Sequence, residues 1–498
     1  MPFRETAVSA VTRRVFSATI TATNRSRSDC KTLLPLRHIA AAVVCLAAMM
    51  VAFWPQAAYA QYTDTTIYSF CSLSGCPDGA NPEGALVADS QGNLYGTTLV
   101  GGAYDYGTIY ELTPNGSGTW TNTILYSFCP QGPTCADGAS PQSGVIRDAN
   151  GNLYGTTLTG GARSNEGTVF ELSPPQGGHG PWTQTVLYEF CVSGNCTDGN
   201  QPLGGLTFDS HGNLYGTTTE GGPHGQGVVF ELSPNGGQWT YTILYGFCAQ
   251  QGCTDGRTPN LGSLVFDAQG NLYGATTGGG SQNYGTVFQL TPSGGSWTES
   301  VLHSFCSAAN CTDGVEPVGG VVLDVHDNIY GVTPGGGTLN LGVAYELSQS
   351  GGSWTENVLQ NFCENCTSGY HPQQTMILDA NGNLYGNTYQ GGTLMKGVAF
   401  ELSPIGGGQW TETVLYNFCS VGACLDGEYP YGPMLFDAQG NLYGVTGDGG
   451  QYGGATAYEL SPHLTPTSTT LTSAPNPSAY GQMVSLAATV HADRKSVV

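Results

Sequence analysis

Gly205-Leu206-Thr207-Phe208-Asp209, Asn213-Leu214-Tyr215-Gly216-Thr217-Thr218, Gly227-Val228-Val229-Phe230-Glu231-Leu232 and Trp239-Thr240-Tyr241-Thr242-Ile243-Leu244-Tyr245-Gly246-Phe247 are four consecutive runs with strand chemistry. Punctuation separates them: Ser210-His211-Gly212, then Gly221-Gly222, then Pro234 with Gly236-Gly237. Short β-branched and aromatic runs bounded in this way read as strands joined by turns. In the fourth run Trp239, Ile243, Tyr245 and Phe247 share one face by period-two alternation, and Thr240 and Thr242 share the other.

The same unit returns seven times, with a period of 56 to 62 residues. Its phrases are Trp-Thr-x-Thr-(Val/Ile)-Leu-Tyr-x-Phe-Cys, Cys-x-Asp-Gly, Gly-Asn-Leu-Tyr-Gly-Thr-Thr and (Val/Ile)-(Phe/Tyr)-Glu-Leu-Ser/Thr-Pro. No stretch carries helical periodicity across three turns. Four short antiparallel strands per unit, repeated seven times, predict an all-β, seven-bladed β-propeller. A solenoid would need atypical capping units at its ends. The termini favour a closed ring. Tyr62 to Phe70 matches the fourth-strand phrase, whereas the last unit stops at Tyr458-Glu459-Leu460-Ser461-Pro462 with no Trp phrase after it. The N-terminal strand is expected to complete the last blade over residues 61–462 and to remove two exposed edges.

Residues 1–60 read as a leader and signal peptide. Arg37-His38 precede an apolar run from Ile39 to Trp54, followed by Pro55 and the small-residue site Ala58-Tyr59-Ala60. Cleavage before Gln61 implies a secreted or surface protein with no transmembrane span in the mature chain. Removing the leader takes seven of 13 basic and two of 36 acidic residues, leaving a formal charge of −28. That charge excludes nucleic acid and anionic membrane as partners and suits a soluble monomer.

Cysteine usage agrees with export. The mature chain holds seven local pairs: Cys71/Cys76, Cys129/Cys135, Cys191/Cys196, Cys248/Cys253, Cys306/Cys311, Cys363/Cys366 and Cys419/Cys424. None is left over, as in an oxidised framework. Zinc is the rival, since Cys363-x-x-Cys366 has knuckle spacing. A four-cysteine site would need loops of two units, and no His recurs beside the pairs.

Strand order sorts the loops onto two faces. The Asp-x-x-Gly-Asn and Ser-Pro-x-Gly-Gly connections are tight and fall on one side. The disulfide loops and Gly-Gly loops are longer, fall on the other, and are where a site is expected, around the channel mouth. Beyond Pro462, residues 463–477 read as a Ser/Thr/Pro linker, and residues 478–498 as the start of an immunoglobulin-like segment cut short.

The unit resembles the GloVer tandem repeat of exported, choice-of-anchor bacterial proteins, on Gly-Asn-Leu-Tyr-Gly-Thr-Thr (151–157, 212–218) and Val-Phe-Glu-Leu-Ser-Pro (169–174, 229–234). The resemblance implies a secreted or surface-held protein and carries no assigned reaction. The Asp-x-x-Gly-Asn-Leu-Tyr step is similar to the first hairpin of NHL-type propellers, and the stretch from Thr470 resembles the opening of bacterial immunoglobulin-like repeats.

Three sets of residues are candidates for chemistry. Asp78, Asp137, Asp198, Asp255, Asp313 and Asp426 precede Gly in six disulfide loops, with Ser368 in the seventh. A ring of carboxylates could hold Ca²⁺, or each Asp-Gly could order its own turn; no other cofactor is expected. A second acid, Asp89 in the first unit and its counterpart in each of the others, precedes every hairpin turn and is expected to order it. Residues that break the repeat are more telling, because building a blade does not require them. Tyr104, Tyr106, Tyr370, His371, Tyr389, Tyr429, Tyr431 and Tyr452 lie on the disulfide-side loops of units one, six and seven, which are neighbours in a closed ring. Exposed tyrosines suit stacking on sugar rings or protein contacts, or they pack loops. No Gly-x-Ser-x-Gly, His-Glu-x-x-His or phosphate-binding loop is present. The sequence therefore favours a non-catalytic module binding glycan or protein; the alternatives are a secreted polysaccharide-active hydrolase or lyase and a structural spacer.

Overall fold

The computed structural model describes residues 62–462 apart from 117, 133, 176, 178, 179, 260, 261 and 364–367, together with the backbone of strands Thr467–Ala474 and Ser485–Ala492. The expected leader, residues 1–60, lies outside the described residues.

Seven antiparallel sheets form a seven-bladed β-propeller. The first blade runs outward as Val87–Ala88, Leu94–Thr98, Thr108–Pro114 and Trp120–Ser127. Its second strand is buried along its whole length, because neighbouring blades cover both faces of the sheet. The glycine in Leu-Tyr-Gly-Thr-Thr leaves room for the aromatic ring of its partner on the adjacent strand of the same blade: a Cβ on Gly155 would sit 2.7 Å from the Phe170 ring. Each of the seven cores spans two adjacent blades, as when Tyr154 and Val169 meet Leu206, Leu214 and Val228. The Phe of each Phe-Cys phrase, from Phe70 to Phe418, is fully buried there, worth about 1.5–3 kcal/mol apiece in apolar burial.

Closure follows the expected route. Tyr62–Ser69 pairs antiparallel with Thr456–Pro462, with Tyr62 opposite Pro462 and Ser69 opposite Thr456. Ile67, Phe70 and Tyr443 of the last blade pack on Leu86 and Tyr110 of the first. Around the channel the residue before each inner proline takes a left-handed conformation, φ 53 to 57° from Asn81 to Tyr429. It donates its N–H to the preceding blade: Ser140 N to Tyr106 O at 2.8 Å, and Asn81 N to Gly454 O at 3.2 Å across the closure.

The outer strand departs from strict alternation at one point. A bulge opposite Val229 and Phe230 sets Leu244 out of register, so Leu244 is buried where period two would expose it. Disulfide and Gly-Gly loops lie side by side, joined by Gly102 N to Cys76 O at 2.9 Å and Gly161 N to Cys135 O at 2.9 Å. Beyond the propeller, Thr467–Ala474 pairs antiparallel with Ser485–Ala492. A strand thus runs through residues expected as linker: the threonines that make the stretch look like a linker are also β-branched strand formers.

Candidate functional site

Six of the seven expected cysteine pairs form disulfides among the described residues: Cys71–Cys76, Cys129–Cys135, Cys191–Cys196, Cys248–Cys253, Cys306–Cys311 and Cys419–Cys424. Each closes one loop. Cys366, the partner expected for Cys363, lies outside the described residues. The second cysteine of a pair also shapes the backbone. Cys196, Cys253 and Cys311 take left-handed φ values of 48, 53 and 53°. Their carbonyls accept from Gly222 N, Gly280 N and Gly337 N at 2.8, 2.9 and 2.9 Å. Cys253 and Cys311 end short 3-10 turns, Gln251–Cys253 and Ala309–Cys311, which three residues are too few to announce by periodicity. The loop ending at Cys196 is made of turns and bends instead. Cys196, Cys253 and Cys311 do not line the central cavity and build scaffold.

Within these loops the Asp-Gly acids act locally. Asp78 Oδ2 accepts from Tyr68 Oη at 2.8 Å and from Ser72 N at 3.0 Å. Asp255, fully buried, accepts from Tyr245 Oη and Ala249 N, both at 2.8 Å. Asp137, Asp198 and Asp426 repeat the tyrosine bond at 2.8, 2.8 and 2.6 Å. None of the six acids lines the central cavity. Among the described residues no three of them form a ligand set, so they do not gather as a calcium ring would require. Five of them clamp their loops to the outer strand before them, while Asp313 accepts only from Ser307 and Ala308 of its own loop.

The second acid orders its hairpin, as expected. Asp89 Oδ1 accepts from Gln91 N and Asn93 N, at 2.9 and 3.0 Å, and Oδ2 from Asn93 Nδ2 at 2.9 Å. Burial works against the Asp89 carboxylate, but these bonds outweigh it and hold the group below its usual range.

The inner segments of the blades enclose a cavity of about 450 Å³ on the ring axis. They approach closely because glycine stands at the contact: a Cβ on Gly84 would lie 2.2 Å from Gly144 N, and one on Gly262 1.9 Å from Gly320 N. Unit six breaks this pattern with Gln374-Thr375, and unit seven keeps a glycine in Tyr431-Gly432-Pro433. One side of the cavity is therefore polar, with Glu83, Gln142, Gln374 and Tyr431, and the side of units three to five is apolar, with Leu203 and Val321. Gln142 Nε2 donates to Glu83 Oε2 at 3.1 Å. Burial raises the Glu83 carboxyl, against the lowering effect of Gln142. Burial, then the nearby Glu83, pushes the Tyr431 hydroxyl up to about 12.

Three of the eight expected aromatic residues meet at the mouth. Tyr389 and Tyr429 stack at 5.0 Å between centroids and 26° between planes, and Tyr389 meets Tyr431 edge-on at 6.3 Å. Lys396 Nζ donates to Tyr429 Oη at 2.8 Å and pairs with Glu428 Oε2 at 2.5 Å. Tyr370 and His371 pack edge-on to each other at 4.9 Å, and His371 O accepts from Tyr389 N at 3.1 Å. The other three stand elsewhere. Tyr104 and Tyr106 are exposed on blade one, and Tyr452 lies over a separate groove with Tyr68 and Leu425. Among the described residues no ring contact joins them to the Tyr389 group. Sequence reasoning passed over Glu83, Gln142 and Gln374; the available clue was a polar residue just after the inner proline in units one, two and six, where units three and five carry Leu203 and Val318.

Residues 56–274 and 260–490 match the Gloeobacter/Verrucomicrobia repeat. The chain belongs to this repeat family. The sequence matches no curated protein. Among solved structures, a Dyadobacter fermentans protein of unknown function is 14% identical over 80% of this chain and 98% of its own, with a TM-score of 0.40. A puromycin-hydrolyzing peptidase of Mycobacterium tuberculosis is 11% identical over 82% of this chain and 55% of its own, at 0.47. A Trypanosoma rangeli sialidase is 12% identical over 80% and 59%, at 0.38. None of these likenesses bears on what this repeat protein binds. Its disulfides suit an oxidising, extracellular setting, and among the described residues no helix is long and apolar enough to cross a membrane.

Proposed function

We propose that this repeat protein is an exported, non-catalytic carbohydrate-binding module whose site is the channel mouth between blades six, seven and one. The observation that carries the reading is the placement of Tyr431 on the cavity wall beside Glu83, Gln142 and Gln374, with Tyr389 against its edge. A sugar ring offers an apolar C–H face and a rim of hydroxyls. An aromatic ring next to fixed amide and carboxylate groups complements both.

Two features favour binding over turnover and define the ligand class. Glu83 is the one carboxylate among the described residues lining the cavity, whereas glycoside hydrolysis ordinarily needs a pair roughly 5 to 9.5 Å apart. The formal charge of −23 for the whole chain disfavours acidic polymers, so the ligand class is neutral glycan.

The test is a screen of neutral polysaccharides scored for retention and for released sugar, repeated with Tyr431→Ala and Glu83→Gln. Retention without release, weakened about tenfold or more by either change at constant Tm, is expected; tenfold corresponds to about 1.4 kcal/mol. Release of sugar, or retention indifferent to both substitutions, would overturn the proposal.

A further inference from the structure

Unit five alters one member of a motif that is otherwise nearly constant. In units one to four and seven the tyrosine on the outer strand, Tyr68, Tyr126, Tyr188, Tyr245 or Tyr416, donates to the loop aspartate. Preceding unit five that position is His303, on strand Ser296–Ser304. Asp313, in the following disulfide loop, and Glu356, on the next outer strand Ser353–Asn361, complete a three-residue group between two blades.

The group is sheltered and incompletely bonded. The side chains of His303, Asp313 and Glu356 are 13, 4 and 10% exposed. Asp313 Oδ2 is held by Ser307 N, Ser307 Oγ and Ala308 N at 2.7, 2.8 and 3.2 Å. His303 Nε2, Asp313 Oδ1 and Glu356 Oε1 are buried with no hydrogen-bond partner. Burial lowers the imidazole's proton affinity more than the Asp313 charge restores it, and burial likewise raises the Glu356 carboxyl to about 8. Buried donors and acceptors in this state are costly unless something satisfies them.

The distances suit a small cation. His303 Nε2 lies 3.6 Å from Asp313 Oδ2 and 3.9 Å from Glu356 Oε2. Zinc bonds of about 2.0–2.1 Å set neighbouring tetrahedral donors about 3.4 Å apart, close to these two separations, and one ligand atom from each of the three side chains lies within 4.8 Å of the others. One imidazole with two carboxylates is a donor set for Zn²⁺ rather than Ca²⁺ or Mg²⁺, which take oxygen alone. Unit four supplies an internal contrast: Glu299 also stands by Asp255, but Tyr245 brings a hydroxyl donor instead of a nitrogen ligand.

We propose that His303, Asp313 and Glu356 bind one divalent zinc-class ion that staples the outer strands of blades four and five. The ion's charge offsets the two carboxylates, and its site is separate from the channel mouth. Its role is structural, because a substrate cannot reach so sheltered a position.

The experiment uses the full chain with disulfides intact, stripped of metal by chelator and titrated with ZnCl₂ by calorimetry, alongside His303→Tyr. This variant restores the residue that five other units carry, so the fold is retained, and its circular dichroism checks that. Expected are one site per chain, a Tm that rises with Zn²⁺, and at least a 100-fold weaker affinity in the variant with no Zn²⁺-dependent Tm. Co²⁺ should give visible bands without thiolate charge transfer. Absence of saturable binding, equal binding by His303→Tyr, or a thiolate band would overturn the proposal.

Discussion

Glu412 provides a pH-dependent test of the inter-blade packing. Its Oε2 accepts from Gln360 Nε2 at 2.6 Å, while Oε1 is buried with no partner. Burial pushes this carboxyl from an ordinary 4.5 up to about 8. Between those values the folded chain holds a proton that the unfolded chain has released, so stability must fall as pH rises. The loss begins near pH 4.5, is complete above about 8, and at 1.36 kcal/mol per unit amounts to about 3–5 kcal/mol. Glu412→Gln presents the same shape without an ionisable group, and the Gln360 amide can turn its oxygen to meet the new amide. Denaturant unfolding of both proteins at pH 5 and pH 9, with disulfides kept oxidised, isolates the effect, since every other titrating group cancels in the difference. The variant should match the parent at pH 5 and exceed it by about 3–5 kcal/mol at pH 9. Parallel stability curves would refute the reasoning, because they would mean that water or a counter-charge reaches the group.

Three further outcomes follow from the packing. Gly262→Ala places a Cβ 1.9 Å from Gly320 N, a backbone clash that side-chain rotation cannot relieve; it should cost more than about 3 kcal/mol or abolish soluble expression. Asp255→Ala leaves Tyr245 Oη and Ala249 N without their acceptor, a loss of about 3 kcal/mol in chemical denaturation. Ile67→Asp puts a charge into the closing contact between the last blade and the first; a loss of at least about 3 kcal/mol should accompany faster proteolysis of the N-terminal strand.

The scaffold was legible because its information is local and repeated. Each strand phrase, each Asp-x-x-Gly-Asn turn and each cysteine pair lies within a few residues, and seven copies show which positions the blade requires. Closure was legible for the same reason, as a fourth-strand phrase present at one end and missing at the other. The bulge at Leu244 was not, since a register shift depends on the facing strand. The 3-10 turns at Cys253 and Cys311 were hidden by their shortness. Nor was the strand at Thr467–Ala474 evident, because its residues suit linker and sheet alike.

The site was legible only in part. The sequence by itself determined that units six and seven carry tyrosines absent from the others, and that the ring makes those units neighbours. Only the tertiary structure decided which of them meet: Tyr389, Tyr429 and Tyr431 converge, while Tyr104, Tyr106 and Tyr452 do not. It likewise turned the Asp-Gly acids into clamps for their own loops, put Glu83 and Gln142 from different blades within 3.1 Å, and set His303 beside Glu356 from 53 positions along the chain. The physical reason is the same in each case. Backbone hydrogen bonds and alternation are encoded over a few residues, whereas the distance between side chains on separate blades depends on the closure of the whole ring.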